Sequence, residues 1–263
     1  MPIINQHPSG AHPFAISLQA NDVDTACGIP HRALTENGHN DDLLNHIVPV
    51  MQTHHFSHEA LKRRMDLIAS LRIANAPMLP SLYPKDDKTR KGNFAEVFLA
   101  EYLSSTTDTQ LPVYRLRYNP NIEQSMKGDD VLLFDLDSNP VRIIVGEAKF
   151  RSTPSQKAVS DTIDGLLRSN KAGLPISLMF VADRLFEDNK PELAQRVQDC
   201  GILLSTNKLH IDYVGLLMSN YNAKNYVHKH TTNELHNLLM ISLGMQSPEI
   251  IVHETFKRLE EDV

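Results

Sequence analysis

The stretch "MKGDDVLLFDLDSNPVRIIVGEAKF", residues 126–150, constrains this chain more than any other. Two apolar runs, "VLLFDL" and "VRIIVGEAKF", flank the turn signal "DSNP", so they read as the two strands of a hairpin. Asp129 and Asp130 open the first strand, and Glu147 and Lys149 lie near the end of the second. A hairpin brings those two places to the same end of a sheet. An unpaired charge buried in a sheet core is costly, so core strands keep charge away from their ends. This hairpin collects it.

The collected groups suit one kind of chemistry. Period-two geometry puts Glu147 and Lys149 on one face, about 6–7 Å apart. An aspartate from the partner strand reaches the same end of the sheet. Asp and Glu so placed form an oxygen site for Mg²⁺, which takes one or two carboxylates and keeps several waters. The backbone carbonyl of Ala148, between the two side chains, is a further hard oxygen ligand. A metal there lowers the pKa of a bound water and neutralises a phosphate oxygen. Lys149 adds fixed positive charge where negative charge develops, or helps deprotonate the attacking water. Phosphodiester hydrolysis fits this set. Asp129 and Asp130 point to opposite faces if both are in the strand, so only one can share a site with Glu147. Periodicity does not choose between them, because a bulge would invert the register.

Upstream, "NFAEVFLAEYLSS" predicts a helix opened by Asn93 as N-cap. Its wheel is apolar nearly all round, broken by Glu96 and Glu101. Such a helix is buried, and a buried carboxylate needs a partner or a metal. Glu96 is therefore a candidate outer-shell or second-metal ligand, with an ion pair to Arg90 or Lys91 as the plain alternative. For Glu147 and Lys149 the plain alternative is a solvated edge-strand pair of little energetic worth. The apolar run "VRIIVG" before them argues against it.

The remaining pattern is mixed α/β. Residues 1–40 read as loops with a strand at "FAISLQA", followed by helices at "DDLLNHIVPVMQ" and "SHEALKRRMDLIASLRIA". The Pro-rich "APMLPSLYPKDDKTRKG" suggests a boundary near residue 85, dividing a mostly helical N-terminal extension, 1–85, from a domain spanning 86–263. "LPVYRLRYN" alternates like a strand. "SQKAVSDTIDGLLRSNKAG" predicts a helix stopping at Gly173, and "PISLMFVA" a central strand. "NKPELAQRVQDCG" predicts a helix, "ILLSTNKLHIDYVGLLMSN" a strand hairpin, and "TNELHNLLMISLG" a late helix.

Composition excludes more than it assigns. A net charge of −6 argues against a protein that coats nucleic acid by bulk attraction, though not against a local basic groove. Cys27 and Cys200 are too few for a disulfide framework or a zinc site. No secretory signal or membrane span is legible, which points to the cytoplasm. His54, His55 and His58, with His228 and His230 downstream, lack the Cys or carboxylate that would complete a zinc set, and read as surface or capping residues. Lys62, Arg63, Arg64, Lys85, Lys88, Arg90 and Lys91 read as solvated charge. Arg151 and Lys157, near the proposed site, are candidate phosphate contacts. There is no Walker-type loop, dinucleotide glycine pattern or nucleophile elbow.

The order helix, three strands, helix, strand, with Gly128-Asp129-Asp130 and Glu147-Ala148-Lys149, resembles the PD-(D/E)xK nuclease superfamily. The wider context "KGNFAEVFLAEYL…YRLRYN…MKGDDVLLFDL…VGEAKFR" resembles the HamA family, the nuclease subunits of Hachiman anti-phage defence. The resemblance covers residues 88–220 and implies a restriction-endonuclease-like core. It further implies DNA as substrate and Mg²⁺ as cofactor, with Mn²⁺ as a substitute. The implied partner is a superfamily 2 helicase, HamB-like, in a heterodimer for which residues 1–85 are candidates as docking surface. By position, Asp130 and Glu147 would bind metal, Lys149 would assist catalysis, and Glu96 would be the helical acid. The family's Gly-x-Asp spacing selects Asp130, although the doubled acid departs from its pattern. The rival reading is a non-catalytic subunit that keeps this fold as a docking or DNA-binding regulator of a helicase. Retention of Asp, Glu and Lys together favours the enzyme.

Overall fold

The computed structural model describes residues 2–71 and 81–261. The chain opens with a short helix α1 (Pro13–Ser17), strands β1 (Leu18–Asp24) and β2 (Pro30–Glu36), and helices α2 (Asn40–His55) and α3 (His58–Leu71). Then come α4 (Asp87–Thr106), a 3-10 turn (Arg115–Tyr118), the hairpin β3 (Val131–Asp135) and β4 (Val141–Phe150), and α5 (Gln156–Lys171). Helices α6 (Leu178–Glu187), α7 (Pro191–Gln198) and α8 (Cys200–Ser205) lead to β5 (Leu209–Asn220), α9 (Ala223–His230), β6 (Leu238–Met245) and α10 (Pro248–Glu261).

The six strands form one sheet in the order β1-β2-β6-β5-β4-β3. The inner four run parallel, and the edge strands β1 and β3 pair antiparallel with their neighbours. One face packs on α1, α2, α4 and α10, centred on Phe14, Ile47, Phe98, Tyr102 and Phe256. The other packs on α5 to α9 through Val159, Leu166, Leu185, Val197 and Val227. Helices on both faces of a mostly parallel sheet make this a three-layer mixed α/β fold.

Several sequence expectations are corrected here. "PISLMFVA" is not a strand: Leu178, Val181, Ala182 and Leu185 are buried at helical spacing in α6, while Met179 and Phe186 are exposed. A short continuous apolar run fits either element, and the period of the residues following it decides. "TNELHNLLMISLG" is not a late helix, since Leu238–Met245 is β6, buried at every position as a covered parallel strand must be. "ILLSTNKLHIDYVGLLMSN" is not a hairpin but the end of α8 followed by the single long strand β5. "LPVYRLRYN" holds a 3-10 turn, so two strands rather than three separate α4 from α5. Helix α4 starts at Asp87, capped by Asp86, whose carboxylate accepts from Thr89 N–H at 2.8 Å. Asn93, the expected cap, lies buried inside that helix. Of "FAISLQA", only the end is strand, its start being the last turn of α1. The second predicted N-terminal helix extends in sequence to residue 74, beyond the described residues, and its described part is α3.

The sheet runs across the boundary read near residue 85, because β2 pairs with β6 from His31↔Met240 to Thr35↔Gly244. The core crosses it too: the Phe14 ring lies 5.4 Å from Phe98 and 5.5 Å from Tyr102 on α4. Phe14→Ala is expected to cost about 3–5 kcal/mol, as for other fully buried aromatics. Urea unfolding followed by circular dichroism should show a single transition at a lower midpoint. An early separate transition would mean that the N-terminal segment folds on its own.

Candidate active site

The site begins with a register. Val131 of β3 pairs with Gly146 of β4, so one step outward Asp130 meets Glu147. There β3 ends, while β4 continues beside β5 from Glu147↔Gly215 to Phe150↔Met218. The last four residues of β4 thus leave one edge without a strand. Ala148 N–H points out of that edge and donates to Asp130 Oδ2 at 2.9 Å. In an extended strand the N–H and C=O of one residue point to the same edge, so the Ala148 carbonyl also faces Asp130. Two residues apart on one face of β4, Lys149 Nζ donates to Glu147 Oε1 at 2.5 Å.

The doubled acid divides its work. Asp129 turns away toward α6, where its carboxylate accepts from Ser177 N–H at 2.8 Å and its own N–H donates to Ser177 Oγ at 2.9 Å. A carboxylate at a helix N-terminus satisfies an orphan donor and complements the helix dipole. Gly128 before it has φ +114°, and a Cβ there would stand 2.5 Å from Ser177 Oγ. Glycine is required at that turn on both counts.

Glu96, on α4, is also brought to the site. Its neighbour is neither Arg90 nor Lys91 but Arg115 from the 3-10 turn, whose guanidinium is 3.5 Å from Glu96 and 3.8 Å from Asp130. Arg115 also donates to the backbone carbonyls of Asp129 and Lys127, tying down the entry to β3. Sequence reading passed over Arg115. Its signal was the pair of cations Arg115 and Arg117 close before the doubled acid.

Burial raises the pKa of all three carboxyls, and repulsion by Asp130 adds to it for Glu96 and Glu147. Glu147 is pushed up to about 7, by desolvation first and then by Asp130, against the pull of Lys149. Glu96 is pushed up to about 8 by desolvation, opposed mainly by Arg115. Asp130 is raised by desolvation, although Lys149, the Ala148 N–H and Arg115 all favour its charged form. Carboxyls that resist ionisation together favour a cation among them.

The donor set decides what kind of cation fits. Among the described residues no three His, Cys, Asp or Glu groups stand together as a side-chain cage. Mg²⁺ does not need one, and two carboxylates plus a carbonyl, completed by water, match its habit. Asp130, Glu147 and the Ala148 carbonyl fit that description, whereas Glu96 stands against Arg115.

These groups lie in a cleft of about 710 Å³ whose rim carries Lys88, Lys91, Lys127, Arg151 and Arg168. Arg151 was expected here. Lys157 does not line the cleft and pairs with Asp161 at 2.9 Å with its side chain 83% exposed. Arg90 instead pairs with Glu260 and lies over the Phe256 ring. His54 and His55 are not surface residues. Both are buried: His54 bonds Glu101 at 2.7 Å, and burial pushes His55 down to about 4. No helix among the described residues is long and apolar enough to cross a membrane.

A family model described as HamA matches residues 17–259. The Hachiman protein HamA of Bacillus cereus is 35% identical over 262 residues, covering 97% of this chain and 94% of that protein. With both matches running nearly end to end, this chain belongs to the HamA family.

Proposed function

We propose that this chain is a Mg²⁺-dependent deoxyribonuclease with a restriction-endonuclease-like core, acting as the effector subunit of a Hachiman anti-phage defence complex. The observation that carries the reading is the meeting of Asp130, Glu147 and the Ala148 carbonyl at the free edge of β4, on the floor of a cation-rimmed cleft. Asp130, Glu147 and that carbonyl would hold the metal, which when bound supplies an activated water and charge neutralisation at phosphate. Lys149 keeps a positive charge on the Glu147 face, where it offsets negative charge developing at phosphorus. Arg115 holds Asp130 and the backbone before it in place. The rim cations match a phosphate backbone and position the strand over the floor.

A chain of net charge −6 has little general attraction for DNA, so delivery falls to a partner. The family's name joins this chain to the Hachiman system, and a DNA-translocating helicase supplies what the charge does not. Residues 1–85 are our choice for part of the docking surface.

The test is incubation of purified protein, alone and with its helicase, with plasmid, linear and single-stranded DNA in Mg²⁺ or EDTA. Asp130→Asn, Glu147→Ala and Lys149→Ala should each lower Mg²⁺-dependent cleavage by about 100-fold or more. Calorimetry should show weaker Mg²⁺ binding for the first two and not the third. Asp129→Asn should retain most cleavage while lowering the melting temperature, because it weakens the seal on α6. Undiminished cleavage by the Asp130 or Glu147 variant would remove the site.

The raised carboxyl of Glu147 also sets a pH dependence. Its folded value of about 7 lies above the ordinary 4.5, so between these values the folded state binds more protons than the unfolded. That stabilisation is complete below 4.5 and lost as pH rises through about 7. Without divalent cation, wild type should therefore lose stability relative to Glu147→Gln as pH rises from 5 to 8, read as the difference in melting temperature. A constant difference would show that Glu147 ionises freely.

Docking is tested separately. Tagged protein should recover a helicase from its native host, and Glu147→Ala should recover it equally well. Recovery of none would leave the complex without support.

A further inference from the structure

One position on α5 bears directly on Glu147. Gly165 lies in the interior of that helix, buried, where glycine is a poorer helix former than alanine. Neither φ nor a turn requires it, since α5 continues regularly to Lys171. The requirement comes from across the layer. A Cβ built on Gly165 would stand 2.4 Å from Glu147 Cδ, 2.6 Å from its Oε1 and 2.8 Å from its Cγ. The carboxylate therefore occupies the space that any other residue at 165 would fill.

The rest of α5 fits this closeness. Gly215, facing Glu147 in the β4–β5 register, leaves room for Met240 of β6 and Thr162 of α5, whose Sδ and Cγ2 would stand 2.7 and 2.8 Å from a Cβ there. Glycines on both sides of the layer let α5 sit low over the strand ends. One turn beyond Gly165, Arg168 lines the cleft and favours the charged form of Glu147. Glu147 is thus confined between the α5 backbone above and Lys149 beside it.

We infer that Gly165 is a positioning residue for Glu147, leaving a notch in α5 that fixes where the carboxylate points. The inference rests on the functional reading above. What would move in Gly165→Ala is the far end of a flexible side chain, so the helix can stay in place while the carboxylate is pushed aside. The expected signature is loss of site function without loss of fold.

The test uses the full chain with its partner and four proteins: wild type, Gly165→Ala, Glu147→Asp and the double variant. Cleavage of DNA in Mg²⁺, Mn²⁺ binding by calorimetry and melting temperature are read for each. Gly165→Ala should melt within a few degrees of wild type yet bind Mn²⁺ at least 10-fold more weakly and cleave at least 100-fold more slowly. Glu147→Asp shortens the carboxylate by one methylene and vacates the notch. Adding it to Gly165→Ala should recover cleavage at least 10-fold, which a merely structural glycine would not allow. Wild-type cleavage and Mn²⁺ affinity in Gly165→Ala would overturn the inference, as would a parallel collapse of melting temperature and activity with no recovery in the double variant. A wild type that neither binds Mn²⁺ nor cleaves would instead overturn the functional reading, and the positioning role with it.

Discussion

The structure turns on the pairing of Val131 with Gly146, because that one register brings Asp130 and Glu147 to the same end of the sheet. A slip of one residue would turn every β3 side chain to the opposite face, sending Leu133 out of one core layer and Leu132 out of the other. The apolar cost of such a slip is several buried side chains at about 1.5–3 kcal/mol each. Hydrophobic packing thus holds two carboxylates where electrostatics alone would separate them. Gly146 reinforces this from α4: a Cβ there would stand 2.9 Å from Val131 Cβ and 3.0 Å from Leu99 Cδ2. The helix carrying Glu96 can therefore lie directly on the strand that carries Glu147.

Charge is sorted on a short length scale. The net charge of −6 is spread over the chain, but the cleft brings the carboxyls of Glu96, Asp130 and Glu147 together with Lys88, Lys91, Lys127, Arg151 and Arg168. Arg115 and Lys149 each touch a floor carboxylate, which lets the acids be buried together at the expense of raised pKa values. Bulk charge and local charge therefore point in opposite directions, and only the local arrangement bears on a phosphate ligand.

What could be read from the sequence was local. The β3–β4 hairpin, the acids at its seam and the α5 helix follow from turn chemistry and period, and the structure has all three. What could not be read depended on layering. A strand covered on both faces loses its alternation, so β6 passed for a helix, and the apolar start of α6 passed for such a strand. The choice between Asp129 and Asp130 could not be read from periodicity, since Ser177, which draws Asp129 away, is 48 residues downstream. Arg115 was missed because the turn that aims it had been read as a strand. Gly165 left a visible trace, a helix-breaking residue in the middle of a helical pattern, but its reason lies on another element.

The N-terminal segment is tied to the site through one turn of α2. His55 faces Asn93 and His54 bonds Glu101, so the end of α2 holds α4 three residues before Glu96 and five residues after it. Thr53 in the same turn accepts from Arg117 through its carbonyl at 2.8 Å, which anchors the 3-10 turn that also carries Arg115. Both members of the Glu96–Arg115 pair are therefore positioned from residues 53–55. The His55–Asn93 contact is buried and the His54–Glu101 contact partly so, which couples a displacement of α2 to α4 more tightly than to the turn, whose Arg117 contact is exposed. A partner seated on the N-terminal segment would be connected to the acidic floor by that route, without touching the cleft.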